Sequence, residues 1–153
     1  MGGQMTTKAV KERLRWFQTF IPLYERAEPL IKYITNLDKL QAGELPVSPA
    51  MLVESNLTLR PILVAISKMH KPKEKELAVI QREFEIALSN CIKASEWAEK
   101  YINFGGHGID KQMLLGMAIN VTVLAHEYFE SVTRKVARFY EGGTASLNEL
   151  YPS

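Results

Sequence analysis

The stretch EKELAVIQREFEIALSNCIKASEWAEKY, residues 74–101, decides the fold class. Its apolar side chains recur every three or four positions, which is the period of a helix with one buried face. The predicted stripe consists of Leu77, Ile80, Phe84, Leu88, Cys91, Ala98 and Ile102. A glycine-containing turn over residues 103–109 follows, and Asp110 is the expected cap of a further helix. The stretch therefore predicts a long amphipathic helix that ends in a tight turn.

The helix after this turn has the same period and ends at Gly142-Gly143. We predict that its core stripe is Leu114, Met117, Val121, Leu124, Tyr128, Val132, Val136 and Phe139. Two helices of about 30 residues are each about 45 Å long at a rise of 1.5 Å per residue. Because only a short turn joins them, they must lie antiparallel.

The sequence before residue 74 is helical as well. A first stripe consists of Val10, Leu14, Phe17, Ile21 and Tyr24, and the pattern resumes over residues 30–40. Residues 42–48 form a connection, and Ser48-Pro49 is typical of a helix entrance. Pro22 or Pro29 in the first helix and Pro61 in the second predict kinks, because proline removes a hydrogen-bond donor and clashes with the preceding turn.

These patterns predict an all-α protein, with no alternation long enough for a strand and no internal repeat. The expected architecture is an antiparallel four-helix-type bundle with Pro-kinked first and second helices. We expect residues 1–153 to form one helical domain, with residues 1–6 and 144–153 as flexible ends.

Composition excludes several classes of protein. The chain is 46% hydrophobic and 24% charged, and its one cysteine, Cys91, excludes an internal disulfide framework and fits a reducing compartment. The longest nearly uninterrupted apolar run, residues 113–125, is shorter than the ~20 residues that span a bilayer. No basic-then-apolar signal stretch opens the chain. We therefore expect a cytoplasmic protein without membrane contact.

No catalytic or metal-binding constellation is evident, so we expect no enzyme activity, no metal and no cofactor. The three histidines are too far apart along the predicted bundle to share a metal within one chain. Two alternatives stay open. His126 and Glu130, four residues apart, would give two of the ligands of a metalloenzyme assembled across a dimer. The Gly105–Gly108 turn precedes a helix, where backbone amides can hold an anion.

The formal net charge of +2 hides an asymmetry. In an up-down bundle, residues 8–15, 68–76 and 130–141 lie at the same end, which we call the basic pole, and together carry a formal charge of +6. A concentrated basic surface attracts polyanions, and phosphate contacts give affinity without sequence choice. The predicted nucleic-acid contacts are Lys11, Arg13, Arg15, Lys71, Lys73, Lys75, Arg134, Lys135 and Arg138.

Two helices also carry apolar side chains off their predicted core stripes. At 100° per residue these point away from the bundle interior. They predict an interface with another subunit or a second copy, formed by Val79, Ile86, Trp97, Ile119 and Val123. Trp97, flanked by lysines, would alternatively stack a base.

One stretch resembles a known family. Residues 49–68, PAMLVESNLTLRPILVAISK, are similar to the most recognisable helix of the small α-helical subunit of type III-B CRISPR (Cmr) effector complexes, in which a Pro and an apolar run lead into an Asn-Gly-Leu turn. Asn56 matches, Leu57 stands in place of the Gly, one residue is inserted and Pro61 interrupts the helix. The end of the fourth helix, with Arg134, Lys135, Arg138 and Phe139, resembles that family's basic C-terminal helix.

The resemblance implies a non-catalytic subunit of an RNA-guided antiviral complex. Its copies would stack along the backbone subunits of that complex and present a basic face to the guide–target duplex. We therefore predict a structural, RNA-binding subunit of such a complex. The alternative is a protein–protein adaptor or homodimer that binds no nucleic acid.

Overall fold

A computed structural model describes residues 7–35, 49–105 and 108–141. They form four helices: α1 (Thr7–Ile34), α2 (Pro49–Lys68), α3 (Lys75–Asn103) and α4 (Ile109–Glu141). No strand occurs within these ranges, which confirms the all-α prediction. The connection predicted at residues 42–48 and the ends expected to be flexible, 1–6 and 144–153, lie outside the described residues.

Helices α3 and α4 run antiparallel along their length. Near the start of α3, Glu83 accepts hydrogen bonds from Ser131 (3.0 Å) and Lys135 (2.5 Å), which lie towards the end of α4. At the other end, the Lys111 ammonium of α4 lies 5.1 Å from the centre of the Tyr101 ring of α3. The first part of α3 thus contacts the last part of α4, and the end of α3 contacts the start of α4, as expected for antiparallel helices joined by a short turn.

The other two helices follow the same alternation. Asn56, early in α2, donates to Ser95, late in α3, while Gln81 in the first part of α3 donates to the carbonyl of Ile66, near the end of α2. In α1, the hydroxyls of Tyr24 and of Thr133 in α4 lie 2.8 Å apart. These contacts fit an up-down-up-down arrangement of four helices.

An aromatic cluster joins α1 to α3 and α4. The Trp16 ring stacks on Phe20 with centroids 4.4 Å apart, and Phe20 meets the edge of Phe84 at 5.2 Å. Tyr24 stacks on Phe129 of α4 at 5.6 Å. Aromatic side chains bury the largest areas of any residue type, and such pairs contribute a further ~0.5–1.5 kcal/mol each. This cluster therefore anchors α1 to the core.

The stripe predicted for α3 is confirmed for six of its seven residues. From Leu77 to Ala98 each predicted position is buried, and only Ile102, near the end of the helix, is half-buried. Helix α3 packs against the three other helices, so its apolar face is covered along most of its length.

The stripe predicted for α4 is wrong by one residue over the first two-thirds of the helix. The buried residues there are Leu115, Ala118, Thr122, Ala125 and Phe129. Met117 and Leu124, predicted to be core, are each 45% exposed. The prediction becomes correct at Val132, Val136 and Phe139. Two of the buried residues, Ala118 and Ala125, have small side chains, whereas the period alone favoured the larger residues beside them.

The start of α4 also differs from expectation. Asp110 is the second residue of the helix, so it does not cap it, and the Gln112 N–H donates to the carbonyl of Gly108 at 3.1 Å. Gly108 has φ +85°, a left-handed conformation that glycine adopts without a steric penalty. The helix therefore begins directly after a glycine turn.

The prolines lie inside continuous helices. Pro22 and Pro29 are interior to α1, and Pro61 is interior to α2. All three prolines are exposed, so each backbone position that lacks an N–H group is on a face of the helix that water can reach. No break occurs at these positions, and the kinks remain a prediction.

Helix α2 is less buried than its apolar sequence suggests. Its buried positions include Leu52, Leu59, Ile62 and Ile66, whereas Leu57 on another face is 67% exposed. Over residues 50–68 the helix is long and apolar enough to cross a membrane by length and composition alone. Core helices of soluble proteins pass the same test.

Candidate nucleic-acid interface

The three segments of the basic pole meet in the structure. Arg13, near the start of α1, donates from Nε and Nη2 to the two carboxylate oxygens of Glu74, at 3.0 and 2.7 Å. The same guanidinium lies 5.0 Å from the centre of the Phe139 ring, close to the end of α4. One side chain thus links the start of α1, the start of α3 and the end of α4. Charges that are far apart in sequence belong to one end of the molecule.

A groove of about 780 Å³ opens between the start of α1 and the segment that connects α2 to α3, and we call it the pole groove. It combines cationic, apolar and acidic side chains. Its lining consists of Lys8, Ala9, Glu12, Arg13, Arg15, Trp16, Thr19, Met69, His70, Pro72, Lys73, Glu74 and Leu77.

A smaller groove of about 290 Å³ lies between the start of α3 and the end of α4. We call it the side groove. Its lining consists of Lys75, Glu76, Val79, Ile80, Lys135, Arg138 and Phe139. Because Arg13 pairs with Glu74 of the pole groove and lies over Phe139 of the side groove, its side chain connects the walls of the two grooves.

Among the nine predicted contact residues, Arg13 and Lys135 form ion pairs with carboxylates of the protein. Arg13 is held by Glu74 in a pair whose side chains are both less than one-third exposed. Lys135 is held by Glu83, which also accepts from Ser131. An internal carboxylate already balances each of these cations, so the geometry assigns both a structural part in joining helices. That Arg13 and Lys135 also contact nucleic acid stays a prediction.

Six of the remaining seven predicted residues are exposed, and within the described ranges none forms an ion pair. They are Lys11, Arg15, Lys71, Lys73, Lys75 and Arg134. The seventh, Arg138, is exposed and lines the side groove. Of the six, Arg15 and Lys73 line the pole groove and Lys75 lines the side groove. These six cations are available to an incoming anion without breaking an ion pair among the described residues.

Sequence reasoning omitted Lys8 and His70 from the predicted contacts. Both are exposed and line the pole groove. Lys8 could have been predicted from the sequence. It belongs to the same basic run as Lys11, and residues three or four apart share a helix face. No signal pointed to His70, because its place in the groove depends on the path of the α2–α3 connection.

The predicted partner residues do not share one environment. Val79 and Val123 are 44% and 49% exposed, whereas Ile86, Trp97 and Ile119 are half-buried. The Trp97 ring packs against the core and carries the Lys100 ammonium 4.6 Å from its centre. Further exposed apolar residues, absent from the prediction, are Met51, Val53, Leu57, Val64, Ile109, Met113, Met117 and Leu124.

His126 and Glu130 form an exposed pair on α4, with Nε2 and Oε1 3.0 Å apart. Across the described part of the chain, no group of three or more metal-ligating side chains comes together. A metal site completed by a second copy stays a prediction. Gly106 and His107, in the turn considered for anion binding, lie outside the described residues.

Burial raises the pKa of two groups among the described residues, the Cys91 thiol and the Tyr24 hydroxyl. It raises the pKa of the Cys91 thiol to about 12, so this cysteine stays protonated at neutral pH and is a poor nucleophile. Burial also raises the pKa of Tyr24, with the Thr133 hydroxyl acting against the shift and Glu28 adding to it. Neither group lines the pole groove or the side groove.

Comparison of the chain with protein-family models, with curated proteins and with solved structures finds no match. The resemblance to the small α-helical subunit of Cmr complexes therefore stays a prediction, based on the residues quoted for it.

Proposed function

We propose that this chain is a non-catalytic structural subunit that binds RNA through its basic pole. The observation that carries the proposal is the convergence of three separate basic segments at one end, where most of the cations are exposed and unpaired among the described residues. Neutralised phosphates release their counterions, and this release favours binding independently of sequence.

The start of α1 adds support. Its first turn contains Lys8 and no acidic residue, and Lys11 follows one turn later. The positive end of the helix dipole disfavours a cation in the first turn, here Lys8, by ~0.3–1 kcal/mol. An anionic ligand would turn this unfavourable local arrangement into a favourable one, because the lysines and the backbone N–H groups would then face the same negative charge.

The apolar surface supports membership in a larger assembly. Leu57 and Val64 on α2, and Met113 and Met117 on α4, are exposed to an extent that is unusual for large apolar side chains. Together with the resemblance of residues 49–68, this surface favours a subunit that contacts other proteins or copies of itself within a CRISPR-type RNA-guided complex in the cytoplasm. Kinks at Pro22, Pro29 and Pro61 would shape the surface presented to these neighbours.

The test is fluorescence anisotropy with labelled single-stranded RNA, duplex RNA and duplex DNA across a range of salt concentrations. For single strands, the slope of log K against log salt is about −0.7 per phosphate contact. We expect Lys71→Glu to weaken binding and to flatten this slope by about 0.7 or more. Lys93→Glu is the matched control, because it reverses an equally exposed charge on α3 outside the basic pole.

Two outcomes contradict the proposal. One is the absence of binding to any of the three probes at low salt. The other is an equal loss of binding in both variants, which would indicate a general effect of net charge. In either case the function favoured by the exposed residues of α2 and α4, a protein–protein adaptor or homodimer without nucleic-acid binding, replaces it.

A further inference from the structure

The buried and half-buried apolar side chains of the pole groove form its floor, and the exposed side chains of its rim include three cations and one carboxylate, Glu12. Met69, Pro72 and Leu77 line it together with Trp16, and the exposed cations Lys8, Arg15 and Lys73 lie around it. A surface that binds only phosphates needs the cations and gains nothing from the apolar floor. The floor therefore indicates a ligand that has an apolar surface as well as negative charge.

The size of the groove supports the same conclusion. Its volume of about 780 Å³ lies within the range of small-molecule clefts, roughly 300–1,000 Å³. A nucleobase has two flat apolar faces and is attached to a phosphodiester backbone. In a duplex these faces are stacked and paired, so only an unpaired nucleotide can place its base in a groove of the protein.

We propose that the pole groove holds an unpaired base of single-stranded RNA, with the flanking phosphates on Lys8, Arg15 and Lys73. This inference rests on the proposed function and narrows its ligand from RNA in general to single strands. It also goes beyond the duplex contact that the family resemblance implies.

Trp16 gives the groove a rigid wall. Its Nε1 donates to Gln81 at 2.9 Å and its ring stacks on Phe20, so the indole is fixed and 5% exposed. The base thus meets the edge of this ring and packs on Met69 and Pro72. Apolar contacts with a base face are possible for all four bases, so we expect little sequence preference.

Filling the groove without changing its charge tests the inference. Thr19 is exposed and lines the groove, so Thr19→Trp occupies the space that a base would take. Gln18→Trp is the matched control, since Gln18 is exposed on the same helix and lines neither groove. The probes are a ten-nucleotide single-stranded RNA, the same RNA as a duplex, and inorganic polyphosphate.

We expect Thr19→Trp to weaken single-strand binding about 5-fold, the lower end of the range for one base stacked on an aromatic ring, because here the base packs mainly on Met69 and Pro72. Duplex and polyphosphate affinities stay the same, as does every affinity of Gln18→Trp. A second readout is the fluorescence of Trp16 in a Trp97→Phe background, which leaves one tryptophan in the chain. Single-stranded RNA should change this emission and polyphosphate should not.

The outcomes separate this inference from the proposed function. If no probe binds at low salt, the proposed function and the inference both fail. If all three probes bind, Thr19→Trp has no effect and Trp16 emission does not respond to single-stranded RNA, the inference alone is overturned and the basic pole binds phosphates only.

Discussion

Helix α3 and the first half of α4 both repeat apolar residues at the helical period, but they differ greatly in which of those residues are buried. From Leu77 to Ala98, α3 buries every residue of its predicted stripe. Between residues 109 and 125, α4 buries a narrower stripe that is one position away, and Ile109 and Met113 are 79% and 62% exposed. The difference teaches that the helical period predicts the buried face only where charged residues bound the apolar stripe.

The physical reason lies in the width of the apolar arc. In α3, charged residues such as Arg82 and Glu85 flank the apolar stripe, so only one orientation avoids burying charge. In α4, all residues from 113 to 125 are apolar except Asn120 and Thr122, so two neighbouring stripes are almost equally hydrophobic. Close packing then selects Ala118 and Ala125, which allow a shorter distance between helices.

The largest expected effect comes from truncating the centre of α3. Phe84 is fully buried and contacts the rings of Phe20 and Tyr24. Phe84→Ala should lower the free energy of unfolding by about 3–5 kcal/mol, because it removes a large apolar surface and leaves a cavity. Urea denaturation followed by circular dichroism measures this change.

The matched truncation in α4 is Met113→Ala. Met113 is mostly exposed, so we expect the unfolding free energy of the Met113→Ala variant to stay within about 0.5 kcal/mol of that of the parent protein. If the two truncations cost the same, the contrast between α3 and the first half of α4 is wrong.

Much of the fold followed from sequence. Four helices, their antiparallel order and the core face of α3 depend on local periodicity and short connections, both of which are visible in one chain. The register of α4 between residues 109 and 129 could not be predicted, because it depends on interhelical distance. The exposed apolar face of α2 was missed for a similar reason: an apolar sequence does not reveal how many neighbours will cover it.

The candidate site, like the fold, has some features that the sequence predicts and others that it does not. Sequence and topology brought three basic segments to one end, and the structure joins them through Arg13, Glu74 and Phe139. The pairing of Arg13 and Lys135 with carboxylates was not predictable, because it depends on which side chains face each other across helices. The pole groove was invisible for the same reason, since it is formed by segments about 60 residues apart.

The register of α4 gives the next largest effect. Ala125 is fully buried, so Ala125→Leu overpacks the interface and should cost about 1–3 kcal/mol. Leu124→Ala, at the position next to it, removes an exposed side chain and should change stability by less than about 0.5 kcal/mol. Thermal and urea unfolding of the two variants show which of the two positions belongs to the buried face of α4. A large loss for Leu124→Ala with none for Ala125→Leu would restore the register predicted from sequence.

The smallest expected effect is a pH dependence of the unfolding free energy, to which the buried residues of α3 contribute and those of the first half of α4 do not. The buried residues of α3 include an ionisable thiol, Cys91, whereas those of α4 up to Ala125 include none. Burial raises the pKa of Cys91 from 9.0 to about 12, so the unfolded chain loses this proton at a lower pH than the folded chain. The contribution to stability is complete below pH 9 and is lost progressively between pH 9 and 12.

Between pH 9 and pH 10 this loss amounts to about 1 kcal/mol. Cys91→Ala removes the thiol, so its unfolding free energy should fall less steeply over that interval, even though the variant starts from a lower stability. All other side chains are the same in both proteins, so the difference between the two slopes isolates Cys91. Equal slopes would mean that the thiol reaches solvent in the folded protein, and the close packing of α3 that distinguishes it from α4 would then be incorrect.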